Sequence, residues 1–193
     1  MEHIVKDHEL YRKTVFGFWV YLMTDSILFS VLFVCYILLH TSNFGGPTTH
    51  ELYSLRLVFA ETMVLLTSSF TIGIARLYAS RQLVRQTLIW LGITFLLGLS
   101  FVVMEGTEFT QLVLEGNSWK RSAFLSSYFT LVGTHGIHVS FGLIWIIFTF
   151  VLLAKRGMNE HNFRRLTTLG IFWHFLDLVW IFLFSIVYLM GAK

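Results

Sequence analysis

The stretch FLSSYFTLVGTHGIHVSFGLIWIIFTFVLL, residues 124–153, decides the fold. It runs for 30 residues without a Lys, Arg, Asp or Glu. As an α-helix with a rise of ~1.5 Å per residue it would reach ~45 Å, which exceeds the ~30 Å hydrocarbon core of a bilayer. We therefore predict a membrane-spanning helix that is tilted or projects beyond the hydrocarbon.

Small and polar residues share one stripe of this predicted helix. Spacings of three and four place on it the residues Tyr128, Leu131, His135, His138, Gly142 and Trp145. Small residues allow neighbouring helices to approach closely, and polar side chains form hydrogen bonds between helices in a membrane. We therefore predict helix-packing positions at Gly133, Gly136 and Gly142, together with Trp180 of the last apolar run.

The composition of the whole chain is that of a membrane protein. Of its 193 residues, 55% are hydrophobic and 13% are charged, against ~25% charged in a typical soluble domain. We predict a single polytopic membrane domain over residues 1–193. The net charge of +3 does not indicate a nucleic-acid partner, because membrane topology explains the basic residues between the apolar runs.

The chain has a single cysteine, Cys35, inside the first apolar run. One cysteine can form neither an intrachain disulfide nor a zinc or iron–sulfur site built on cysteines. We predict that Cys35 is a small buried hydrophobic residue.

Five long apolar runs predict an all-α protein with five transmembrane helices. The predicted helices are residues 16–39, 55–79, 87–105, 122–153 and 166–190. Each must be helical because unpaired backbone groups in lipid cost several kcal/mol each, and the sequence lacks the short alternating segments of a β-barrel. A Gly-Gly-Pro turn follows the first run, and a polar connection over residues 106–121 follows the third.

The distribution of Lys and Arg predicts the orientation in the membrane. With five spans, ten of these residues fall on the side of the N-terminus and four on the opposite side. The ten are Lys6, Arg12, Lys13, Arg76, Arg81, Arg85, Lys155, Arg156, Arg164 and Arg165, and the four are Arg56, Lys120, Arg121 and Lys193. Because basic residues concentrate on the cytoplasmic side, we predict a cytoplasmic N-terminus and a periplasmic C-terminus.

Eight ionisable residues lie within the predicted spans or near their ends. They are Asp25, Glu61, Glu105, Glu108, His135, His138, His174 and Asp177. A carboxylate at the centre of a bilayer costs roughly 2.5–3.5 kcal/mol on insertion scales, so we expect these side chains to face the protein interior. The rise along each helix predicts one cluster of Asp25, His174 and Asp177 in the cytoplasmic half and a second of the three glutamates in the outer half.

Two histidines of the fourth run, His135 and His138, leave several roles open. Their spacing of three places both on one face of the helix. There they could form packing hydrogen bonds, take part in a lipid or proton pathway, or ligate a haem or a metal. A haem–copper centre with a second, low-spin haem needs more histidines than the three within the predicted spans, so we favour packing.

The last two apolar runs resemble a known family. Helix five reads FWHFLDLVWIFLFSIVYLMG, residues 172–191, and helix four reads SAFLSSYFTLVGTHGIHVSFGLIW, residues 122–145. These segments are similar to the WHF-x-D-x-x-W and G-x-H-G-x-H-V motifs of subunit III of the haem–copper respiratory oxidases.

Earlier segments continue the resemblance, which covers about residues 16–191. Asp25, within FGFWVYLMTDSILFSVLF, has the setting typical of the quinol-oxidising branch of that family. Five helices rather than seven are also typical of that branch. The segments ETMVLLTSS at 61–69 and MEGTEF at 104–109 complete the match.

The resemblance implies an accessory subunit with no catalytic residue and no haem, copper or quinone ligand of its own. It would pack directly on subunit I, which holds the haems and copper, in a complex with subunits II and IV. The complex would oxidise ubiquinol, reduce dioxygen to water and pump protons across the bacterial cytoplasmic (inner) membrane. In this family the helices form a V-shaped bundle with phospholipid in the cleft. Carried onto this chain, helices one and two would be one arm and helices three to five the other.

Two other classes of function remain as alternatives. The first is an autonomous transporter in which Asp25, His174 and Asp177 form a proton relay. The sequence shows neither the internal repeat nor the proline-broken spans of many transporters. The second is a stand-alone membrane haem protein that uses His135 or His138 together with His174, which the different predicted depths of these residues argue against.

Overall fold

The computed structural model describes residues 2–39, 55–116 and 122–189, and these residues are helical apart from short turns. The helices are α1 (Glu2–Leu39), α2 (Leu55–Ser80), α3 (Val84–Leu114), α4 (Ala123–Arg156) and α5 (Glu160–Leu183), and a π-helical segment, Phe184–Leu189, continues α5. All five helices are long and apolar enough to cross a membrane. The prediction of an all-α protein with five transmembrane helices is therefore confirmed.

α1 and α3 extend furthest beyond their predicted ends, and α5 begins at Glu160 rather than at residue 166. α1 begins at Glu2 rather than at residue 16, because its polar lead contains no Gly or Pro that would stop a helix. α3 continues to Leu114 rather than ending at residue 105, so the first part of the predicted polar connection is helical. The hydroxyls of Thr107 and Thr110 donate to carbonyls of their own helix, which lets these polar residues remain helical. The turn predicted at 45–47 lies outside the described residues.

A tight connection fixes α4 and α5 as neighbours. Gly157 ends α4 with φ +66°, a conformation that favours glycine. The side chain of Asn159 caps α5 by accepting a hydrogen bond from the backbone N–H of Asn162, at 2.8 Å. Asn162 Nδ2 in turn donates to the carbonyl of Gly157, at 2.8 Å. This turn reverses the direction of the chain, so that α5 runs back along α4 and the two helices pack together.

The helices form two layers. α5 packs on α1, α2 and α4, and α3 packs on α2 and α4. We call α1, α5 and α2 the front layer, with α5 between the other two, and α4 and α3 the back layer. The motif-bearing helices α4 and α5 are thus in contact, one in each layer.

The predicted division into an arm of helices one and two and an arm of helices three to five is wrong. α1 packs on α4 and α5, whereas α2 packs on α3 and α5. Side-chain chemistry explains this pairing: Thr71 of α2 hydrogen-bonds Thr94 of α3 at 2.8 Å, while Phe29 of α1 lies against His138 of α4, with ring centroids 5.3 Å apart. Sequence neighbours α2 and α3, α3 and α4, and α4 and α5 pack together, whereas α1 packs on α4 and α5 rather than mainly on α2.

The outward surface of the helices is strongly apolar. Side chains such as Phe16, Phe70 and Ile137 are exposed, as expected for a surface that faces lipid or another membrane subunit. Cys35 is also exposed, so the prediction that it is buried is wrong. The reason is that the described side chains of α1 bury one stripe, formed by Leu22, Asp25, Phe29 and Tyr36, and Cys35 lies outside it.

Candidate functional site

A buried tryptophan of α5 holds three other helices together. Trp173 is 1% exposed, and its Nε1–H donates to Ser68 Oγ of α2 at 2.9 Å. Its ring lies against two glycines: a Cβ at Gly98 of α3 would be 2.8 Å from Cη2, and a Cβ at Gly142 of α4 would be 3.0 Å from Cζ3. We call Ser68, Gly98 and Gly142 the Trp173 slot. It joins α2, α3 and α4 around one α5 side chain.

The second tryptophan of the α5 motif lies two turns further along the helix. The Nε1–H of Trp180 donates to Thr62 Oγ1 of α2 at 3.1 Å. Its ring meets Phe101 of α3 edge-on, with centroids 4.7 Å apart, and lies 5.1 Å from the ring of His135. Trp173 and Trp180 thus repeat one arrangement, in which an indole N–H reaches a hydroxyl on α2.

His135 is fully buried among aromatic side chains. Its Nε2 lies 3.3 Å from the carbonyl oxygen of Leu176 on α5, so the histidine joins α4 to α5. The rings of Phe29 and Phe101 meet it edge-on. Its Nδ1 has no hydrogen-bond partner among the described residues. Phe29, Phe101 and Trp180 thus surround a single imidazole with apolar rings from three helices.

His138 lies one turn away and faces α1. Its Nδ1 donates to the backbone carbonyl of Thr134 in the preceding turn, at 2.7 Å. Its Nε2 lies 3.8 Å from Asp25 Oδ2, which is too long for a hydrogen bond but close for an ion pair. Asp25 therefore faces α4 rather than α5.

His174 and Asp177 form a separate group at the front of α5. His174 Nδ1 lies 2.6 Å from Ser69 Oγ of α2 and 3.9 Å from Asp177 Oδ2. The Asp177 side chain is 6% exposed, whereas that of His174 is 51% exposed. The predicted cluster of Asp25, His174 and Asp177 is therefore divided, with Asp25 paired to His138 and the other two residues paired to each other.

Three glutamates come together between α2 and α3. Glu61 is 0% exposed and Glu105 is 5% exposed, and their carboxylate oxygens have no hydrogen-bond partner among the described residues. Glu105 is close enough to both Glu61 and Glu108 for their charges to interact. A Cβ at Gly136 of α4 would lie 3.0 Å from both Glu105 carboxylate oxygens, so the missing side chain makes room for this carboxylate.

Not all the predicted glycines have the same role. Gly142 and Gly136 make close approaches, but a Cβ at Gly133 would be in ordinary contact with Phe109, at 3.6 Å. Sequence reasoning missed Gly98, whose isolated position in an apolar run was the available signal. It also missed the hydroxyl partners of α5, which are Thr62, Ser68 and Ser69 of the segment at 61–69.

The surfaces of both layers have grooves between neighbouring helices. In the back layer, a groove of about 650 Å³ between α3 and α4 has apolar walls that include Ile89, Phe95 and Phe150, and Arg85 lies at one end. In the front layer, grooves of about 540 and 510 Å³ lie on the two sides of α5, and His174 lines both. Within the described parts of the chain, no three His, Cys, Asp or Glu side chains converge as a metal site would require.

Comparison with known proteins places the chain among oxidase subunits. The family described as cytochrome c oxidase subunit III matches residues 5–192. The chain is 49% identical to cytochrome bo(3) ubiquinol oxidase subunit 3 of Pseudomonas aeruginosa, over 96% of this chain and 88% of the relative. It is 44% identical to cytochrome c oxidase subunit 3 of Bacillus sp. strain PS3, over 93% and 87%. It is 43% identical to quinol oxidase subunit 3 of Bacillus subtilis, over 93% and 88%. The resemblance predicted from the motifs of helices four and five is confirmed.

Proposed function

This chain belongs to the cytochrome c oxidase subunit III family, and on that premise we propose that it is a non-redox core subunit of a terminal ubiquinol oxidase. The complex would oxidise ubiquinol, reduce dioxygen to water and pump protons, with the haems and copper in subunit I and with subunits II and IV present. The observation that carries the proposal is the family match over nearly the whole chain.

The role of the chain would be to support subunit I. The contacts of its buried polar side chains support this assignment, because they join one helix to the next. Trp173 binds Ser68, Trp180 binds Thr62, and His135 approaches a backbone carbonyl of α5. We propose that these residues, together with Asp25 and His138, stabilise the bundle and take part in no chemical step.

The choice of ubiquinol rests on the setting of Asp25 and on the named relatives. The Pseudomonas aeruginosa relative named as a ubiquinol oxidase subunit is 49% identical, and the Bacillus sp. relative named as a cytochrome c oxidase subunit is 44% identical. The quinol-oxidising branch is therefore the better-supported source of electrons.

We propose that the back groove binds a phospholipid. Its walls are apolar side chains of α3 and α4, which suit an acyl chain, and Arg85 at one end would bind the phosphate. Arg85 lies in the first turn of α3, beside the connection predicted to be cytoplasmic. The headgroup would then lie at the inner surface, with the N-terminus of the chain on the same side of the bacterial inner membrane.

The division of the predicted proton relay supports a subunit rather than an autonomous transporter. A relay needs its groups within hydrogen-bond reach or bridged by water. Asp25 instead approaches His138 of α4, while Asp177 lies beside His174, which contacts Ser69 of α2. Asp25 and Asp177 therefore take part in contacts between different helices and do not form one chain of proton-transfer groups.

Purification of the tagged chain from its native membrane in mild detergent tests the proposed function. We expect it to bring with it a larger polytopic subunit and the visible bands of haem. Harsher detergent that removes this chain alone should leave the haem bands with the larger subunit. If the chain were purified alone and colourless, the proposal would be contradicted. If it were purified alone with a Soret band, its own histidines would be haem ligands.

The same preparation tests lipid binding. Arg85→Gln should lower the amount of phospholipid retained per chain, because the groove would lose its phosphate-binding cation. Arg81→Gln is the matched control, since Arg81 carries the same charge nearby but does not line the groove. Equal loss of lipid from the two variants, or from neither, would contradict a site at Arg85.

A further inference from the structure

The front layer exposes one histidine in the middle of an apolar surface. From the middle of α5 into the π-helical segment that continues it, the exposed side chains are His174, Leu178, Ile181, Phe182 and Ser185. The groove on the α1 side of His174 includes Leu22 and Met23, and the groove on the α2 side includes Leu66 and Phe70. A polar ring thus lies between two apolar grooves, well inside a membrane-spanning helix.

His174 uses one ring nitrogen, Nδ1, in a hydrogen bond within the described residues, and its other ring nitrogen, Nε2, has none there. Nδ1 is hydrogen-bonded to Ser69 Oγ at 2.6 Å, and it lies 3.9 Å from Asp177 Oδ2. No hydrogen bond of Nε2 is formed within the described residues. Whichever tautomer is present, Nε2 is then a donor or an acceptor that needs a partner.

Lipid cannot supply that partner at this depth. Acyl chains have no hydrogen-bonding groups, and a polar group left unpaired in hydrocarbon costs free energy. A transmembrane helix of another subunit can place a polar side chain or a carbonyl at the required height while its apolar side chains fill the grooves. Ser26 of α1 lines the groove shared with His174, so the exposed face has a second polar position for such a helix.

We propose that the front layer, formed by α1, α5 and α2 around His174, is the docking surface for the haem-bearing subunit. A helix of that subunit lies along α5 and hydrogen-bonds His174 Nε2. The inference rests on the proposed function and adds to it the face that binds the partner. The back groove differs because, among the described residues that line it, the charged one is Arg85 at one end, an arrangement that fits a lipid headgroup and acyl chain.

Photo-crosslinking in the intact complex tests the docking surface. p-Benzoylphenylalanine replaces Phe70 or Leu178, which are exposed beside His174, or Ile144, an exposed control on the outer stripe of α4. The two front positions should crosslink to the haem-bearing subunit, and the position on α4 should not. Crosslinks to that subunit from Ile144 alone, or only lipid adducts from the front positions, would overturn the docking surface.

A pair of variants at His174 gives a second readout. His174→Leu should make the chain dissociate from the complex about 5-fold more readily as detergent is raised, since the intersubunit hydrogen bond is lost together with the internal contact to Ser69. His174→Gln keeps a hydrogen-bonding side chain and should remain near wild type. Equal retention of the His174→Leu variant and the wild-type chain would overturn the proposed contact.

The two proposals fail in different ways. A wild-type chain that comes away with no haem-bearing subunit overturns the proposed function and this docking surface with it. If the haem-bearing subunit is present but crosslinks to it come from Ile144 of α4 alone, the docking surface is overturned and the proposed function is not.

Discussion

Trp173→Ala is expected to lower the free energy of unfolding of the chain by about 3 kcal/mol, at the lower end of the ~3–5 kcal/mol typical of Trp→Ala in protein cores. The lower end applies because lipid is as apolar as the core, so the loss is mainly one of packing rather than of transfer from water. The variant leaves a cavity in the Trp173 slot and removes the hydrogen bond to Ser68. Titration of the purified full chain with a denaturing detergent measures the change.

Two further variants separate the causes of this loss. Trp173→Phe keeps an aromatic ring but loses the N–H, and should cost roughly 1–2 kcal/mol. Trp19→Ala removes a tryptophan that is 51% exposed, and should stay within about 0.5 kcal/mol of the wild-type chain. If Trp173→Ala were no less stable than Trp19→Ala, the slot would not be what joins the four helices.

Gly98→Ala is expected to destabilise the chain by about 1–3 kcal/mol through overpacking. The added Cβ would lie 2.8 Å from Cη2 and Cζ2 of Trp173 and 2.9 Å from Cδ2 of Leu143. The indole is fully buried and bonded to Ser68, so it cannot move aside without losing that contact. Detergent-induced unfolding of the full chain again provides the measurement.

Gly92→Ala is the matched control for this clash. Gly92 lies in the same helix, and its Cβ would meet nothing within 4 Å. It should be neutral or slightly stabilising, because Ala favours a helix over Gly by up to ~1 kcal/mol. Trp173→Phe removes the colliding ring atoms, so Gly98→Ala should cost less in its presence than alone. Equal effects of Gly92→Ala and Gly98→Ala would contradict the close approach.

The sequence predicts the number of spans because lipid requires internally hydrogen-bonded apolar segments of sufficient length. It does not predict the ends of α1 and α3, because a helix can continue beyond its apolar part where polar residues still favour it. Thr107 and Thr110 show this in α3, where their hydroxyls bond to the helix itself. The family was predicted correctly from order and spacing within the motifs, and the match to residues 5–192 confirms it.

The candidate site was only partly predictable, because rise along a helix gives height but not direction around the axis. Glu61 and Glu105 were predicted at similar height and are also close enough for their charges to interact. Asp25 and Asp177 were also predicted at similar height, yet Asp25 faces α4 while Asp177 lies beside His174. Gly98 could not be assigned to the slot without knowing that α5 presents Trp173 to it.

The central claim is that this chain supports an oxidase whose redox centres lie in another subunit. The most direct measurement is to delete the chain, purify the remaining complex, and record its haem spectrum and its ubiquinol-driven oxygen consumption through many turnovers. We predict an unchanged haem spectrum and activity at the start, followed by faster loss of activity than in the intact complex. Absence of the haem bands, or activity that lasts as long as in the intact complex, would contradict the supporting role.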